Sequence, residues 1–509
     1  MKYYLGIDNG GTVTKAALYT RDGREVAVES RRTEVISRAP GYAERDMEDM
    51  RRTNFEALRA LLDRSGVSGR DVVGVACCGH GKGLYLWGRD DKPVRFGILS
   101  SDNRAWEYPE RWNRDGTAEK VFGKTYQRIL ACQPVSLLAW MRDHEPEKLA
   151  EIRWIFECKD YVRFCLTGEA YAEITDYSGA NLVNLETRDY DADLLALFGL
   201  SDLRDRLPPL RSSTDTCGRI SPVAARQTGL VEGTPVFGGM FDIDACAVAV
   251  DATDEDTLCM IAGTWSINEY VRSKPVRDGS VMMNSVFCVP DRYLIEESSP
   301  TSAVNLEWFL STMAPDAAIR EGGAYALAES WVESVSPKDP CPLFLPFLMA
   351  SNAHPNAKAC FLGMTYYHTR AHLAKAVYEG IAFSHRYHVD RLLASRNRPF
   401  ERIRLAGGVA KSSAWVRMFA DVLGRPIEIV DILETGTLGC AMNVAVSLGD
   451  YPNFPSAARG MIQVRPAVEP DPKRSIDYER RYRRYLEILN ALDPVWDGIQ
   501  ELFESAGIV

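Results

Sequence analysis

No C-x-x-C motif occurs in this 509-residue chain, whose 12 cysteines are scattered with a single adjacent pair, Cys77 and Cys78. That argues against a zinc site or a disulfide framework and points to buried thiols in a reducing cytoplasm. A basic surplus is lacking too, with 60 Lys and Arg against 70 Asp and Glu and a net charge of −10. Without a basic stripe, no nucleic-acid partner is expected. An acidic protein repels a polyanion at long range, so any nucleotide must be held locally, by Mg²⁺ and backbone amides. No apolar run approaches the length that spans a bilayer, so no membrane partner is expected. The chain enters a strand after one Lys, without a leader pattern, and a cytoplasmic location follows. Histidine is scarce, at seven residues. His368 and His372, and His385 and His388, have helical spacing but read as polar positions along one amphipathic helix rather than as metal ligands. What is present, 46% hydrophobic and 26% charged residues, is an ordinary globular composition, long enough for two or more cores.

The opening YYLGIDNGGTVTKAAL organises the chain. Tyr3 to Ile7 reads as a buried strand and Ala16 to Tyr19 as its return. Between them Asp8 ends the strand, and Asn9, Gly10 and Gly11 form a turn whose glycines permit positive φ and leave backbone N–H groups bare. Thr12, Thr14 and Lys15 add donors. One carboxylate with exposed amides, hydroxyls and a Lys suits a metal–phosphate, although a plain Asn-Gly hairpin has the same pattern. A third strand follows from Glu25. Asp46 and Asp49 then look like a capping-box variant opening a helix through Phe55, Leu58 and Leu62 to Gly66. Asp71 to Cys78 has the length of a buried parallel strand, which gives a βββαβ order. Past its end, Gly79-His80-Gly81-Lys82-Gly83 stands where open α/β sheets bind ligands, with His80 and Lys82 able to hydrogen-bond a small molecule. Asp102 and Arg104 follow another apolar end and fit a polyhydroxylated ligand, or else a surface ion pair.

Pro235 to Gly239 reads as a further strand, followed by Asp242 and Asp244 at the start of an Ala/Val-rich helix. One of these carboxylates can be an N-cap and the other a base aimed into a cleft. A boundary is expected near 251–256. Beyond it, Leu258 to Ala262, the Gly263-Thr264 turn and Trp265 to Arg272 repeat the opening strand–turn–strand design, so two related halves could face one nucleotide. Arg402 to Ala406, Gly407-Gly408 and a helix capped by Ser412 complete the second half. Trp415, Met418, Phe419 and Val422 give that helix a buried face, and Gly424 ends it. Residues 475–503 read as C-terminal helices with a solvated face or an oligomer contact.

Together these motifs resemble the FGGY carbohydrate kinases of the actin–Hsp70–hexokinase superfamily, over about residues 3–485. LAGGVAKSSAWVRMFADVLGRPI, followed by ETGTLGCAMNVAV, is the most specific piece. GKGL, ILSSDNRA, PVSLLAW, FDIDA and SPTSAVNLEWF are similar to members acting on L-xylulose rather than on D-xylulose or glycerol. The resemblance implies an α/β fold of two actin-like (ribonuclease H-like) domains, each with a mixed five-stranded sheet and flanking helices, with a cleft between them. It implies an N-terminal domain over 1–250 for sugar and phosphate, a C-terminal domain over 256–450 for adenosine, and a helical extension over 451–509. By position, Asp8 would organise the Mg²⁺ of ATP, and Gly11, Thr12 and Lys15 would line the phosphates. Gly263 and Thr264 would hold the γ-phosphate, and Gly408 and Ser412 would meet the adenosine. His80, Lys82 and Asp102 would contact the sugar, and Asp242 would be the catalytic base. Leu137 replaces a family Lys, an Arg-Glu glycerol clamp is missing from 79–83, and Phe241 stands where the family has Gly.

The implied activity is ATP-dependent phosphorylation of a small-molecule sugar, an L-xylulose-like ketopentose, at a terminal hydroxyl in carbohydrate catabolism. D-Xylulose, 3-keto-L-gulonate, ribulose and erythritol are alternative acceptors, and a homodimer is left open. The competing class is an actin- or chaperone-like nucleotide switch with no small acceptor. The polar Gly79–Gly83 loop and Asp102 speak against it, since a switch needs no polyol pocket.

Overall fold

A computed structural model describes residues 1–314, 323–336, 339–396, 398–432 and 434–505. The chain divides into two compact units. The first comprises Met1–Asp254, Val271–Ile295 and Ile432–Gln463, and the second Glu255–Tyr270, Glu296–Asp431 and Val464–Val509.

The first sheet begins as the sequence predicts. Strands β1 (Tyr3–Asn9) and β2 (Val13–Tyr19) form an antiparallel hairpin, continued by β3 (Glu25–Arg32). Helix α1 (Met47–Ser65) starts at Asp46, whose carboxylate accepts from the N–H groups of Glu48 and Asp49. It stops at Gly66, in the left-handed conformation that glycine adopts without strain. Strand β4 (Val72–Gly79) lies parallel to β1. Leu5, Ile7, Leu18, Val75 and Cys77 are buried along these strands with Leu58 and Leu61 of α1. Each such side chain contributes up to about 1.5–3 kcal/mol of apolar burial. Helix α2 (Cys158–Thr167) packs on β4. Strands β5 (Thr216–Arg219), β6 (Pro235–Phe237) and β7 (Met240–Phe241) complete the sheet in the order β5-β6-β4-β1-β2-β3, with β7 pairing to β4. Helix α3 (Asp242–Ala249) leaves directly from β7.

The second sheet repeats this design. Strands β8 (Thr257–Ala262) and β9 (Ser266–Arg272) form the hairpin, joined by β10 (Met283–Val286), β11 (Tyr293–Ser299), β12 (Arg402–Ala406) and β13 (Glu428–Ile429). Their order is β10-β11-β9-β8-β12-β13, with β12 parallel to β8. In both sheets the five-stranded mixed core is present and edge strands extend it, to seven strands and six. Helices α4 (Gly323–Ser334), α5 (Arg370–Ala394) and α6 (Ser413–Leu423) pack against one another in the second unit.

Helix α7 (Thr435–Ser447) belongs to the first unit. It packs against β1 so closely that a Cβ on Gly6 would lie 2.1 Å from the Thr437 carbonyl oxygen. The Tyr19 hydroxyl bonds Thr437 Oγ1 at 2.8 Å. The C-terminal helices α8 (Pro472–Leu492) and α9 (Trp496–Ser505) are separated at Asp493–Val495, around Pro494. No helix among the described residues is long and apolar enough to cross a membrane.

Candidate active site

The Asn9–Val13 turn is built from behind. Gly10 N–H donates to the Val13 carbonyl at 3.0 Å. Arg45, buried at 1% exposure, takes the Gly10 and Gly11 carbonyls at 2.9 and 2.7 Å. A guanidinium on those oxygens polarises the attached peptide units, which strengthens their N–H groups as donors. A Cβ at Gly11 would meet nothing within 4 Å, so open space lies beside the turn.

Asp8 lies at the end of β1, half-buried. Burial pushes its carboxyl above the usual carboxylate range, against the Lys15 ammonium and a Cys78 thiol contact that lower it. Lys15 donates to Glu434 Oε2 at 2.5 Å. Burial pulls the Lys15 ammonium down, but Glu434 and Asp8 outweigh this and hold it above its ordinary value, firmly charged. Gly436, in the first turn of α7, comes so near that a Cβ there would stand 2.5 Å from Asp8 Oδ2.

Asp242 opens α3 and is half-buried. Its carboxyl is pushed well up, by burial first and then by the Asp8 and Asp176 carboxylates, with the Lys82 ammonium opposing. Neither carboxylate of this helix is an N-cap, because Phe241 holds that position without a side-chain bond. Asp244 turns inward instead, fully buried, and its Oδ1 accepts the Cys288 N–H at 3.1 Å. Burial and Glu173 push it well up. Of the two, Asp242 is the one near Asp8 and Lys82.

The Gly79–Gly83 loop stands over α3. Lys82 adopts φ 63° between Gly81 and Gly83, and its Nζ lies 5.1 Å from the centre of the Phe241 ring. A Cβ on Gly81 would strike that ring at 2.4 Å, so only glycine fits beneath it. His80 is buried, with Nε2 on the Tyr85 hydroxyl at 2.8 Å and Nδ1 near the Gly81 carbonyl at 3.3 Å. Burial, with Arg45 and Lys82 nearby, pulls it down to about 3, so the ring is neutral.

Asp102 is 2% exposed and fully committed. Oδ1 accepts the N–H and Nε of Arg104, both at 2.9 Å. Oδ2 accepts Arg104 Nη2 at 2.8 Å and the Ala43 N–H at 2.7 Å. Four donors fill the lone-pair positions of a carboxylate. Arg104 also donates to Glu44 at 2.8 Å and lies 4.0 Å from the Tyr42 ring centre. The ion pair is buried, not at the surface.

In the second unit, Gly263 N–H donates to the Trp265 carbonyl at 3.2 Å, and the Gly263 carbonyl accepts from Ala303 at 2.8 Å. Thr264 is exposed. Gly407 has φ 90°, with Ala262 O only 2.6 Å from where its Cβ would be, while Gly263 and Gly408 border open space. Ser412 caps α6 through Trp415 N–H at 3.3 Å. Its hydroxyl donates to Glu329 Oε1 at 3.1 Å, and Glu329 also takes the Ala414 N–H at 3.0 Å. Asp8, Lys15, Lys82 and Asp242 thus share one region of the first unit, and Gly263, Thr264, Gly408 and Ser412 lie in the second.

Sequence reasoning missed Arg45, Glu434 and Gly436, and also a buried charge network on α2. There Lys159 Nζ lies 3.1 Å from Asp160, 3.3 Å from Glu173 and 3.1 Å from Asp176. Charged residues inside the otherwise apolar CKDYVRFCL were the available signal. The Asp8 carboxylate opposes the ionisation of Asp242, and among the described residues no cluster of three or more His, Cys, Asp or Glu is placed to hold a metal ion.

Models of the FGGY family of carbohydrate kinases match this chain, the N-terminal domain over residues 3–249 and the C-terminal domain over 258–448. The L-xylulose/3-keto-L-gulonate kinase of Escherichia coli is 38% identical over 98% of this chain and 99% of its own. A probable L-xylulose kinase of Pasteurella multocida is 37% identical over 97% and 99%. Among solved structures, the xylulose kinase of Rhodospirillum rubrum is similar with a TM-score of 0.86 and 25% identity, covering 97% of this chain and all of that one.

Proposed function

The chain belongs to the FGGY family of carbohydrate kinases, and from that premise we propose that it transfers the γ-phosphoryl group of ATP to a terminal hydroxyl of an L-xylulose-like ketopentose. The observation that carries this reading is Asp242. It opens α3 beside Asp8 and Lys82, and burial and two neighbouring carboxylates raise its carboxyl, the direction that favours taking up a hydroxyl proton.

Phosphoryl transfer asks for positioning and charge neutralisation more than for covalent chemistry. In the proposed roles, the amides of Gly11 and Thr12 and the Lys15 ammonium line the phosphates, and Glu434 fixes the Lys15 side chain. Gly263 and Thr264 serve the γ-phosphate, and Gly408 and Ser412 the adenosine. Asp8 is the residue that would hold Mg²⁺, directly or through water. That ion, when bound, neutralises phosphate charge. Lys82 offers its ammonium to an acceptor oxygen beside Asp242, while Phe241 gives the sugar an apolar floor. His80 shapes the loop through Tyr85 and presents a neutral edge. Asp102, with its four acceptor positions filled, acts on the sugar site through the Ala43 and Arg104 framework. A reducing cytoplasm suits the 12 free thiols.

An ADP-release assay over L-xylulose, D-xylulose, L-ribulose, erythritol and 3-keto-L-gulonate tests the reading. The highest kcat/KM is expected for L-xylulose. ATP turnover indifferent to every acceptor would replace the kinase reading with a nucleotide switch.

A further inference from the structure

His385 and His388 of α5 are buried, at 0% and 2% exposure, rather than polar positions on a solvated helix face. Together with Ser384 they face three hydroxyl residues at and just past the end of β11. Ser299 Oγ meets His388 Nε2 at 2.7 Å, Thr301 Oγ1 meets Ser384 Oγ at 2.5 Å, and Ser302 Oγ meets His385 Nε2 at 3.2 Å. Ser299 and Thr301 also bond each other at 2.7 Å, and His388 Nδ1 lies 3.2 Å from Glu297 Oε2. A buried hydroxyl is destabilising unless it is bonded, so each of these bonds also fixes the backbone that carries the hydroxyl. Residues 299–302 are thereby held against one face of α5.

This brace continues into the Gly263-Thr264 turn. Ala303, the next residue, donates its N–H to the Gly263 carbonyl at 2.8 Å. His385 also reaches the same hairpin through its other nitrogen. Its Nδ1 lies 3.0 Å from Oδ1 of Asn268 on β9, and Asn268 Nδ2 donates to Ser266 Oγ at 3.3 Å. Ser266 in turn pairs with Ala262 across the turn. An amide oxygen only accepts, so His385 carries its proton on Nδ1, and Nε2 accepts from the Ser302 hydroxyl. Burial, then His388, pull the ring down to about 3, which keeps it neutral and able to donate at one nitrogen while accepting at the other. Phe419 packs edge-on against it, with ring centres 5.2 Å apart.

We propose that His385 is a positioning residue for the γ-phosphate: by joining Asn268 to Ser302, it fixes both flanks of the Gly263-Thr264 turn. The inference rests on the γ-phosphate role proposed for that turn. Every part of the linkage lies in the second unit. A Cβ at Gly263 would meet nothing within 4 Å and Thr264 is exposed, so the turn is open on its outer side. Its place is set from behind, by the Ala303 N–H and by the hairpin that it closes. Misplacing a group that touches the reacting phosphate by about 1 Å costs on the order of a hundredfold in rate, and slackening one bond behind it costs a part of that.

Ser302→Ala removes one buried oxygen and cuts the linkage while leaving the Ala303 N–H in place. Titration calorimetry on the full chain compares ADP with the β,γ-methylene analogue of ATP, and steady-state ADP release gives kcat and acceptor KM. Analogue affinity should fall roughly three- to tenfold, the worth of about one hydrogen bond, and kcat roughly tenfold. ADP affinity and acceptor KM should stay at wild type. His385→Phe should behave alike, and adding Ser302→Ala to it should cause no further loss, since the shared bond is already gone. Should His385→Phe not fold, Ser302→Ala decides alone. Gly263→Asp, whose side chain enters open space, tests the role of the turn itself: its carboxylate should repel the γ-phosphate and weaken the analogue far more than ADP. If Gly263→Asp binds the analogue like wild type, the γ-phosphate role is overturned and His385 as its positioning residue with it. If Gly263→Asp loses the analogue while Ser302→Ala keeps wild-type kcat and analogue affinity, the turn keeps its role and the inference falls. Equal losses of ADP and analogue in Ser302→Ala would also overturn it, as would additive losses in the double variant.

Discussion

Gly436→Ala separates stability from catalysis at one atom. Gly436 lies in the first turn of α7, and a Cβ added there would be 2.5 Å from Asp8 Oδ2, 2.8 Å from Asp8 Cγ and 3.3 Å from Cys78 Sγ. Ordinary contact requires the carboxylate to retreat by roughly 0.7–1 Å. Retreat is restricted because Asp8 ends a strand paired on both sides, to Lys15 of β2 and Cys78 of β4. A displacement of that size in a reacting group costs on the order of a hundredfold in rate. Alanine also favours a helix over glycine by up to about 1 kcal/mol, which offsets part of the steric cost to folding. The expected result is a fall in kcat of roughly two orders of magnitude, a raised Mg²⁺ requirement, and a thermal midpoint within a few degrees of wild type. Steady-state ADP release over a Mg²⁺ titration, beside calorimetry, reads all three. Wild-type kcat with unchanged Mg²⁺ dependence would refute the metal role of Asp8.

Two further outcomes follow from the buried carboxyls. Asp242→Asn should lower kcat by about 10²–10⁴-fold while ATP binding, followed by titration calorimetry, stays near wild type. Because the native Asp242 carboxyl is raised, wild-type folding loses stability as pH climbs through its folded pKa, so the Asn variant should melt higher than wild type at neutral pH. A variant that melts lower and keeps its turnover would sink the base assignment. Arg104→Met leaves the carboxylates of Asp102 and Glu44 buried without their shared cation and should cost about 3–5 kcal/mol in urea unfolding. A fully stable Arg104→Met enzyme with only a raised acceptor KM would mean that the ion pair contacts sugar and does not hold the framework.

The opening hairpin, the Asp46 and Gly66 caps and the Gly407-Gly408 turn were legible because each is local: a turn residue or a cap acts on backbone within four residues of itself. The pairing of Asp8 with Gly436, or of Lys15 with Glu434, was not, since more than four hundred residues separate the partners and no periodicity reports such a contact. Asp102 and Arg104 were legible as a pair but not in their burial. Tyr42 and Trp140, which flank the guanidinium, come from elsewhere in the chain. The α2 network was hidden for a related reason. Charged residues on an apolar helix face read as interruptions until the acids that neutralise them, Glu173 and Asp176, arrive from the next segment. Asp242 was separable from Asp244 in the sequence only through the family resemblance; in the structure, helical positions two apart point to different sides, and Asp244 turns inward to the Cys288 N–H.

The return of α7 to the first unit has a consequence for how the protein is made. Residues 432–463 supply Thr437 against Gly6 and Tyr19, and Glu434 to Lys15, so β1 and β2 cannot reach their final packing when they leave the ribosome. Since domains emerge N-terminus first, the β1–β2 hairpin must wait, its Gly6 face uncovered, until nearly the whole chain has been synthesised. A nascent fragment ending at Asp254 would carry the whole Gly79–Gly83 loop and Asp242, yet lack the helix that packs against β1.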